Sequence, residues 1–510
     1  MNSTAFNMVE KSLPIEQELA REYSNPLVEK WKDTILECRQ QVWQKQNRIY
    51  QLRQLEAKTR MFVDQRYQNN NYLHETLDYV FQDLKSKPIA AQFSVPQYIG
   101  NLMTHKPCVF TFLPGLGTHQ SISQYDITLG DRTSQVMSRG ETSISAQVTN
   151  DPRTTMDSMI LNAPMRSVVD PEFAKIMVDA GLMVVYHRFK RPLSPEDCDI
   201  HPSLKGGALP CVQSAEESRA ERLQVVKDLG SRTFMAVGVS PEEIEFAKEL
   251  LQAGAVGVCI DVALANSWQA AAAVLELKEF IRSSRLKSQI MVGNVDNEEG
   301  YLLMAACGAD VIKVGIGPGS NCTTRGTTGA GKGQGSALMS ASRARFVWDD
   351  EENAPEFIAD GGIESAADVV RAVALGASCG MSGKLFTKCR ESGALKRRQY
   401  GNTPLREWCA WSFGEASEWA QIYTRGGVHP DYAVEGKGNW IPVEYSFKDF
   451  IKEMRAQWRN ALPYYNAHSV KELRQKFCIE QQLCDLILGG ETGVFLASAG
   501  ISREAGTRMV

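Results

Sequence analysis

The sequence predicts an α/β chain, a (β/α)8 TIM barrel preceded by a helical extension. Three observations carry that prediction. From Met159 onward, eight short apolar runs alternate with amphipathic segments. Polar or glycine residues stand at the C-terminal ends of these runs (Arg188, Asp261, Asn294, Gly317, Asp360 and Gly383), the face on which barrel enzymes build their sites. Residues 26–87 contain no glycine and, after Pro26, no proline, which marks a separate helical region.

In that first region apolar residues fall at Trp31, Ile35, Cys38, Val42, Ile49, Leu52 and Leu55, a three-to-four spacing that predicts one or two amphipathic helices. Gln, Arg and Lys fill the other face, so the stretch is read as packing on the core or on a neighbouring subunit. Residues 88–117, punctuated by Pro and Gly, read as an ordered connection. The barrel strands are MILNAP (159–164), GLMVVYH (181–187), RTFMAVG (232–238), GVCID (257–261), IMVGNV (290–295), DVIKVGI (310–316), FIADGG (357–362) and SCGMSG (378–383). Helical patterns lie between them, for example over 241–254 and 365–376. The chain divides into a helical extension and linker (1–118), the catalytic barrel (119–480) and a C-terminal tail (481–510).

Composition sets the class. The chain has 510 residues, a net charge of −4 and 43% apolar residues, which fits a globular protein without a nucleic-acid signature. No apolar run reaches the roughly 20 residues needed to span a bilayer. The N-terminus lacks the basic-then-apolar pattern of a signal peptide. The twelve cysteines form no CxxC pair and the seven histidines no metal-ligand spacing, so reduced thiols and a cytoplasmic location are expected.

The informative stretch is IKVGIGPGSNCTTRGTTGAGKGQG (312–335). Eight glycines from Gly315 to Gly335 exclude a helix interior, since each would cost about 1 kcal/mol relative to alanine. They let backbone amides approach an anion or carbonyls approach a cation. Cys322 lies in the middle, beside Ser320, Thr323, Thr324 and Arg325. A cysteine so placed is a candidate nucleophile, because the thiolate is the reactive form and nearby cations and amide dipoles favour it. From composition alone, a phosphate-gripping turn with an incidental cysteine stands equally open.

The wording KVGIG followed by GPGSxCTTR resembles the active-site loop of the IMP dehydrogenase/GMP reductase family. The resemblance extends from about Gln124 to Phe477, with QYDITLGDRTSQVMSRGETSIS (124–145) similar to the opening of GMP reductases. No segment long enough for a regulatory CBS pair follows the second strand. FGEASEWAQIYTRGGVHPDYAVEGKG (413–438) keeps the short spacing of the reductase branch, without the dehydrogenase flap and its water-activating arginine. The resemblance implies a reductase that deaminates C2 of a guanine-type purine nucleotide. Cys322 would form a thioimidate, hydride would come from NADPH (or NAD), and Thr324 and Glu435 would relay a proton to the departing ammonia.

Further roles follow from the same resemblance. Asp360 binds ribose hydroxyls; Ser320, Gly362, Gly383 and Lys384 surround the 5′-phosphate; Met165, Phe413, Gly414 and Glu415 complete the substrate site. Asp261 and Asn294 lie near the cofactor. Carbonyls of Gly315, Gly317 and Cys322 form a monovalent-cation loop, implying a potassium site. The purine nucleotide would be the partner, without nucleic acid or membrane, and a homotetramer or larger assembly is implied. The alternatives are an IMP dehydrogenase that oxidises IMP to XMP with NAD, disfavoured by the missing flap, and a non-catalytic nucleotide-sensing scaffold.

Departures from the family pattern cluster at the ligand. Arg166 stands in place of an aspartate, Arg188-Phe189-Lys190 in place of Lys-His-Tyr, Phe413 in place of a tyrosine, and Glu415 in place of a methionine. Lys384 replaces a small residue and Tyr432 an arginine. With Cys322, Thr324 and Glu435 all kept, the expectation is C2 chemistry on a ligand whose phosphate end or base differs from GMP. Added positive charge at Lys384 and Arg166 suggests a more anionic one.

Overall fold

The computed structural model describes residues 25–66, 127–129, 134–191, 212–346, 348, 353–398, 408–425, 431, 433–476 and 494–496. The connection read over 88–117, residues 192–211 after the second strand and Tyr432 lie outside the described residues, as do the side chains of Ile49, Leu52 and Leu55.

All eight expected runs are strands, and they form one parallel sheet in chain order: β1 (Ile160–Asn162), β2 (Val184–Tyr186), β3 (Thr233–Val237), β4 (Gly257–Asp261), β5 (Gln289–Val295), β6 (Val311–Val314), β7 (Glu356–Asp360) and β8 (Cys379–Ser382). Their residues are almost wholly buried, because a parallel barrel is covered by side chains inside and by helices outside. β8 pairs back onto β1, with Gly380 opposite Ile160 and Ser382 opposite Asn162. The seam between β1 and β2 is closed by a side chain. Asn162, fully buried, donates from Nδ2 to the Val185 carbonyl at 2.8 Å and accepts the Val185 N–H at 3.1 Å. One amide thus supplies both halves of a ladder pair that short strands leave open.

The register slips between β5 and β6, where Gly293 faces Lys313 and Val295 faces Val314. Asn294 is the extra residue, and such an irregularity re-aims the side chain it carries. Gly293 is required there, since a Cβ would stand 2.4 Å from the Cβ of Lys313.

The covering helices begin where the sequence places capping residues. Asp170, Ser214, Ser240, Ser267, Asn297 and Ser365 each accept a first-turn N–H. The described part of the extension is one helix, α1 (Pro26–Arg66), with Val28, Ile35, Cys38 and Val42 buried at three-to-four spacing against the barrel helices Trp268–Ser283 and Glu298–Ala306. Beyond the barrel, Lys396–Arg398 (β9), Trp408–Phe413 (β10) and Gly438–Pro442 (β11) form an antiparallel sheet. Val494–Leu496 pairs with Ile127–Leu129. Among the described residues no helix is long and apolar enough to cross a membrane.

The extension is held by a polar anchor as well as its apolar stripe. Glu276 accepts from Lys30 at 2.5 Å, Trp31 Nε1 at 2.8 Å and Lys248 at 2.8 Å. Burial alone would raise this carboxyl; the bonds from Lys248, Lys30 and Trp31 outweigh it and hold it at about 2. The folded value lies below the ordinary 4.5, so the stabilisation is complete above that pH and fades as pH falls through about 2. Glu276→Gln should therefore lower stability to denaturant by roughly 2 kcal/mol at pH 7. The gap to wild type should narrow steadily below about pH 4.5, and a gap independent of pH would contradict the ionic anchor.

Candidate active site

The C-terminal ends of the strands open into a cavity of about 560 Å³. Of the residues expected to form the site, Met165, Asp261, Asn294, Gly315, Gly317, Ser320, Cys322, Thr324, Asp360, Gly362, Gly383, Lys384, Gly414, Glu415 and Glu435 all line it. Phe413 is not among the lining residues. It ends β10, where side chains alternate faces, so Ser412 and Gly414 reach the cavity while the Phe413 ring packs 5.6 Å from the Arg166 guanidinium.

The nucleophile loop leaves β6 through Gly315, whose φ of +139° belongs to glycine and whose Cβ would stand 2.4 Å from the Asp360 carbonyl oxygen. Cys322 closes a turn by donating its N–H to Gly319 O at 3.0 Å. Its Sγ is 3.1 Å from Thr324 Oγ1. The loop is stitched to the late segment by backbone bonds: Thr323 N–H donates to Glu435 O at 2.9 Å and Lys437 N–H to Asn321 O at 2.9 Å. Residues 414–417 join the same clasp through Gly414 N–H to Lys437 O at 3.1 Å and Glu435 N–H to Ala416 O at 3.2 Å. Sequence positions more than a hundred residues apart are thereby brought to one wall.

Lys313, not singled out from the sequence, organises the opposite wall. It is 1% exposed inside β6 and donates from Nζ to Asp261 Oδ1 at 2.5 Å and to Asp360 Oδ2 at 3.3 Å. Asn294 Nδ2 adds a bond to Asp360 Oδ2 at 2.8 Å and one to Gly315 O at 2.8 Å. Burial would depress the Lys313 ammonium, but the charges of Asp261 and Asp360 outweigh it and hold the group charged, above the usual lysine range. The signal was present in VIKV: a lysine within a β-branched barrel strand needs a buried partner.

The cations expected to favour a more anionic ligand stand beside carboxylates. Lys384 Nζ lies 2.8 Å from Glu364 Oε1, and Arg166 Nη2 lies 2.7 Å from Glu415 Oε2. Each pair adds no net charge. In the loop read as a potassium site, Gly315 O accepts from Asn294 Nδ2 at 2.8 Å and the neighbouring Ile316 O accepts from Arg325 Nε at 2.9 Å.

Comparison with known proteins gives a consistent set. A family model for the IMP dehydrogenase / GMP reductase domain matches residues 122–484. A GMP reductase of Streptococcus agalactiae serotype Ia is 27% identical over 349 residues, 68% of this chain and 91% of that protein. One from Helicobacter pylori is 28% identical, covering 62% of this chain and 83% of its own length. An inosine-5′-monophosphate dehydrogenase of Aquifex aeolicus is 31% identical over 48% of each chain. Among solved structures, a GMP reductase from Trypanosoma brucei in complex with guanosine 5′-monophosphate aligns with a TM-score of 0.56 at 18% identity, over 70% of this chain and 94% of that one, a likeness of fold.

Lys313→Met should cost about 3–5 kcal/mol of stability, since it strands two carboxylates at the barrel mouth. Adding Asp261→Asn should recover part of the loss in denaturant unfolding, because one stranded charge disappears. If the double variant were less stable than Lys313→Met alone, the charge account would be wrong.

Proposed function

The chain belongs to the IMP dehydrogenase/GMP reductase family, and from that premise we propose that it reduces and deaminates a guanine-type purine nucleotide at C2, with GMP as the first candidate. The observation that carries this reading is the Cys322 thiol, 3.1 Å from the Thr324 hydroxyl in a loop bonded to the Glu435 backbone, on the wall of a nucleotide-sized cavity. Likeness to several GMP reductases, and the short spacing of residues 413–438, favour the reductase over the dehydrogenase reading.

The residues divide the work as follows. Cys322 Sγ attacks C2 of the base, and a covalent adduct separates loss of the amino group from reduction of the carbon. The amine leaves as ammonia with a proton relayed by Thr324 from Glu435, the general acid. When bound, a nicotinamide cofactor, NADPH in this reading, supplies hydride to C2. Release of Cys322 then gives the inosine nucleotide, so that GMP, NADPH and two protons yield IMP, NADP+ and ammonium. Asp360, held by Lys313 and Asn294, faces the ribose. Ser320 and the amides of Gly362 and Gly383 meet the phosphate. Asp261 and Asn294 stand on the wall open to the cofactor, with Asp261 fixed by Lys313.

Cys322→Ala should fold normally and lose at least about 1,000-fold in turnover of GMP with NADPH, as expected when a covalent route is removed. IMP and ammonium formation is the assay, and mass spectrometry of denatured, substrate-treated wild type should find a nucleotide adduct at Cys322. Retention of a tenth of the activity by the alanine variant would exclude the covalent route.

A further inference from the structure

We infer that Arg166 is a positioning residue for the nucleophile, setting the catalytic clasp through its buried ion pair with Glu415. The inference rests on Cys322 being the reacting thiol. Arg166 follows Met165 in the loop after β1 and is 4% exposed. Its Nε and Nη2 lie 3.0 and 2.7 Å from Glu415 Oε2, and its backbone N–H donates to Glu415 Oε1 at 2.7 Å. The remaining donors tie two more segments, Nη1 to Lys190 O at 3.0 Å and Nη2 to Ala420 O at 3.3 Å. The rings of Phe189 and Phe413 flank the guanidinium at 5.3 and 5.6 Å.

Both carboxylate oxygens of Glu415 are committed to Arg166, so Glu415 serves as an anchor and not as a base. It lies between Gly414 and Ala416, whose backbones bind Lys437 and Glu435, and Glu435 O in turn receives Thr323 N–H. The path from Arg166 to Cys322 therefore runs through one ion pair and two backbone bonds. No other ion pair recorded among the described residues joins residues 414–417 to the loops after β1 and β2. Cutting it leaves an uncompensated charge in the wall, and its relief displaces the segment that holds Glu435. A misplacement of about 1 Å at reacting groups can cost on the order of 100-fold in rate.

The test uses Arg166→Met, Glu415→Met and the charge swap Arg166→Glu with Glu415→Arg in the full chain. Three readouts apply: kcat and KM with GMP and NADPH, the carbamidomethylation rate of Cys322 by iodoacetamide mapped by peptide mass spectrometry, and the thermal midpoint. Each single variant should lower kcat by about 10–100-fold with KM for GMP held within about threefold, and shift the Cys322 reaction rate at least about fivefold. The swap should return kcat to within about fivefold of wild type. An Arg166→Met protein with a single unfolding transition and kcat within twofold of wild type would overturn the inference. So would a kcat loss that the folded swap variant does not recover. If Arg166→Met does not fold, Arg166→Lys, which keeps the charge but loses the planar fork, is read by the same criteria. If wild type proves inactive on GMP, the substrate reading fails by itself; unchanged Cys322 reactivity in the variants would then overturn the positioning role.

Discussion

Everything at the mouth of this barrel depends on closure of the sheet, and closure depends on one amide. Seven seams are backbone ladders, whereas Asn162 supplies the eighth by satisfying the N–H and C=O of Val185. Buried backbone groups left unpaired are costly, so the residue works as a piece of main chain. Met165 and Arg166 follow directly from β1, and His187 and Arg188 from β2. The seam thus also sets the spacing of the two loops that Arg166 joins.

Three cations at the site stand beside carboxylates. Lys313 holds Asp261 and Asp360, Lys384 holds Glu364, and Arg166 holds Glu415. These pairs supply the cavity with oriented polar groups. Recognition of a nucleotide there draws on backbone amides and fixed dipoles more than on a surplus of cations.

The barrel was legible because its signals are local. Each strand is a short apolar run ended by a polar residue or glycine, and six of the covering helices start at a capping side chain. The reading that the glycines around Cys322 exclude a helix is corrected, since Gly326 lies inside the short helix Thr324–Thr328 and Gly335 in the first turn of Gln334–Phe346. The site was legible where a motif is contiguous, as with Ser320, Cys322 and Thr324. Pairings across distant positions were not. Lys384 and Glu364 belong to loops after different strands, and nothing in the chain says that they meet. Arg166 and Glu415 each read as an isolated departure, and only their opposite charges hinted at a pair. The motif around Phe413 carries no statement of which face of β10 its ring occupies.

The sheet beyond the barrel has an optical consequence. Trp411 lies 5.8 Å from Trp419 and 5.2 Å from Trp440, and packs over Gly438, at the border of the strands that carry Gly414 and Glu435. Indoles at such separations share their excited states, producing a circular-dichroism couplet whose amplitude follows distance and tilt. β10 and β11 carry Trp411 and Trp440, and the helix Glu418–Arg425 carries Trp419, next to the clasp they flank, so the native chromophores report its geometry. Opening or twisting of the catalytic segment is thereby written into the spectrum of the unlabelled protein.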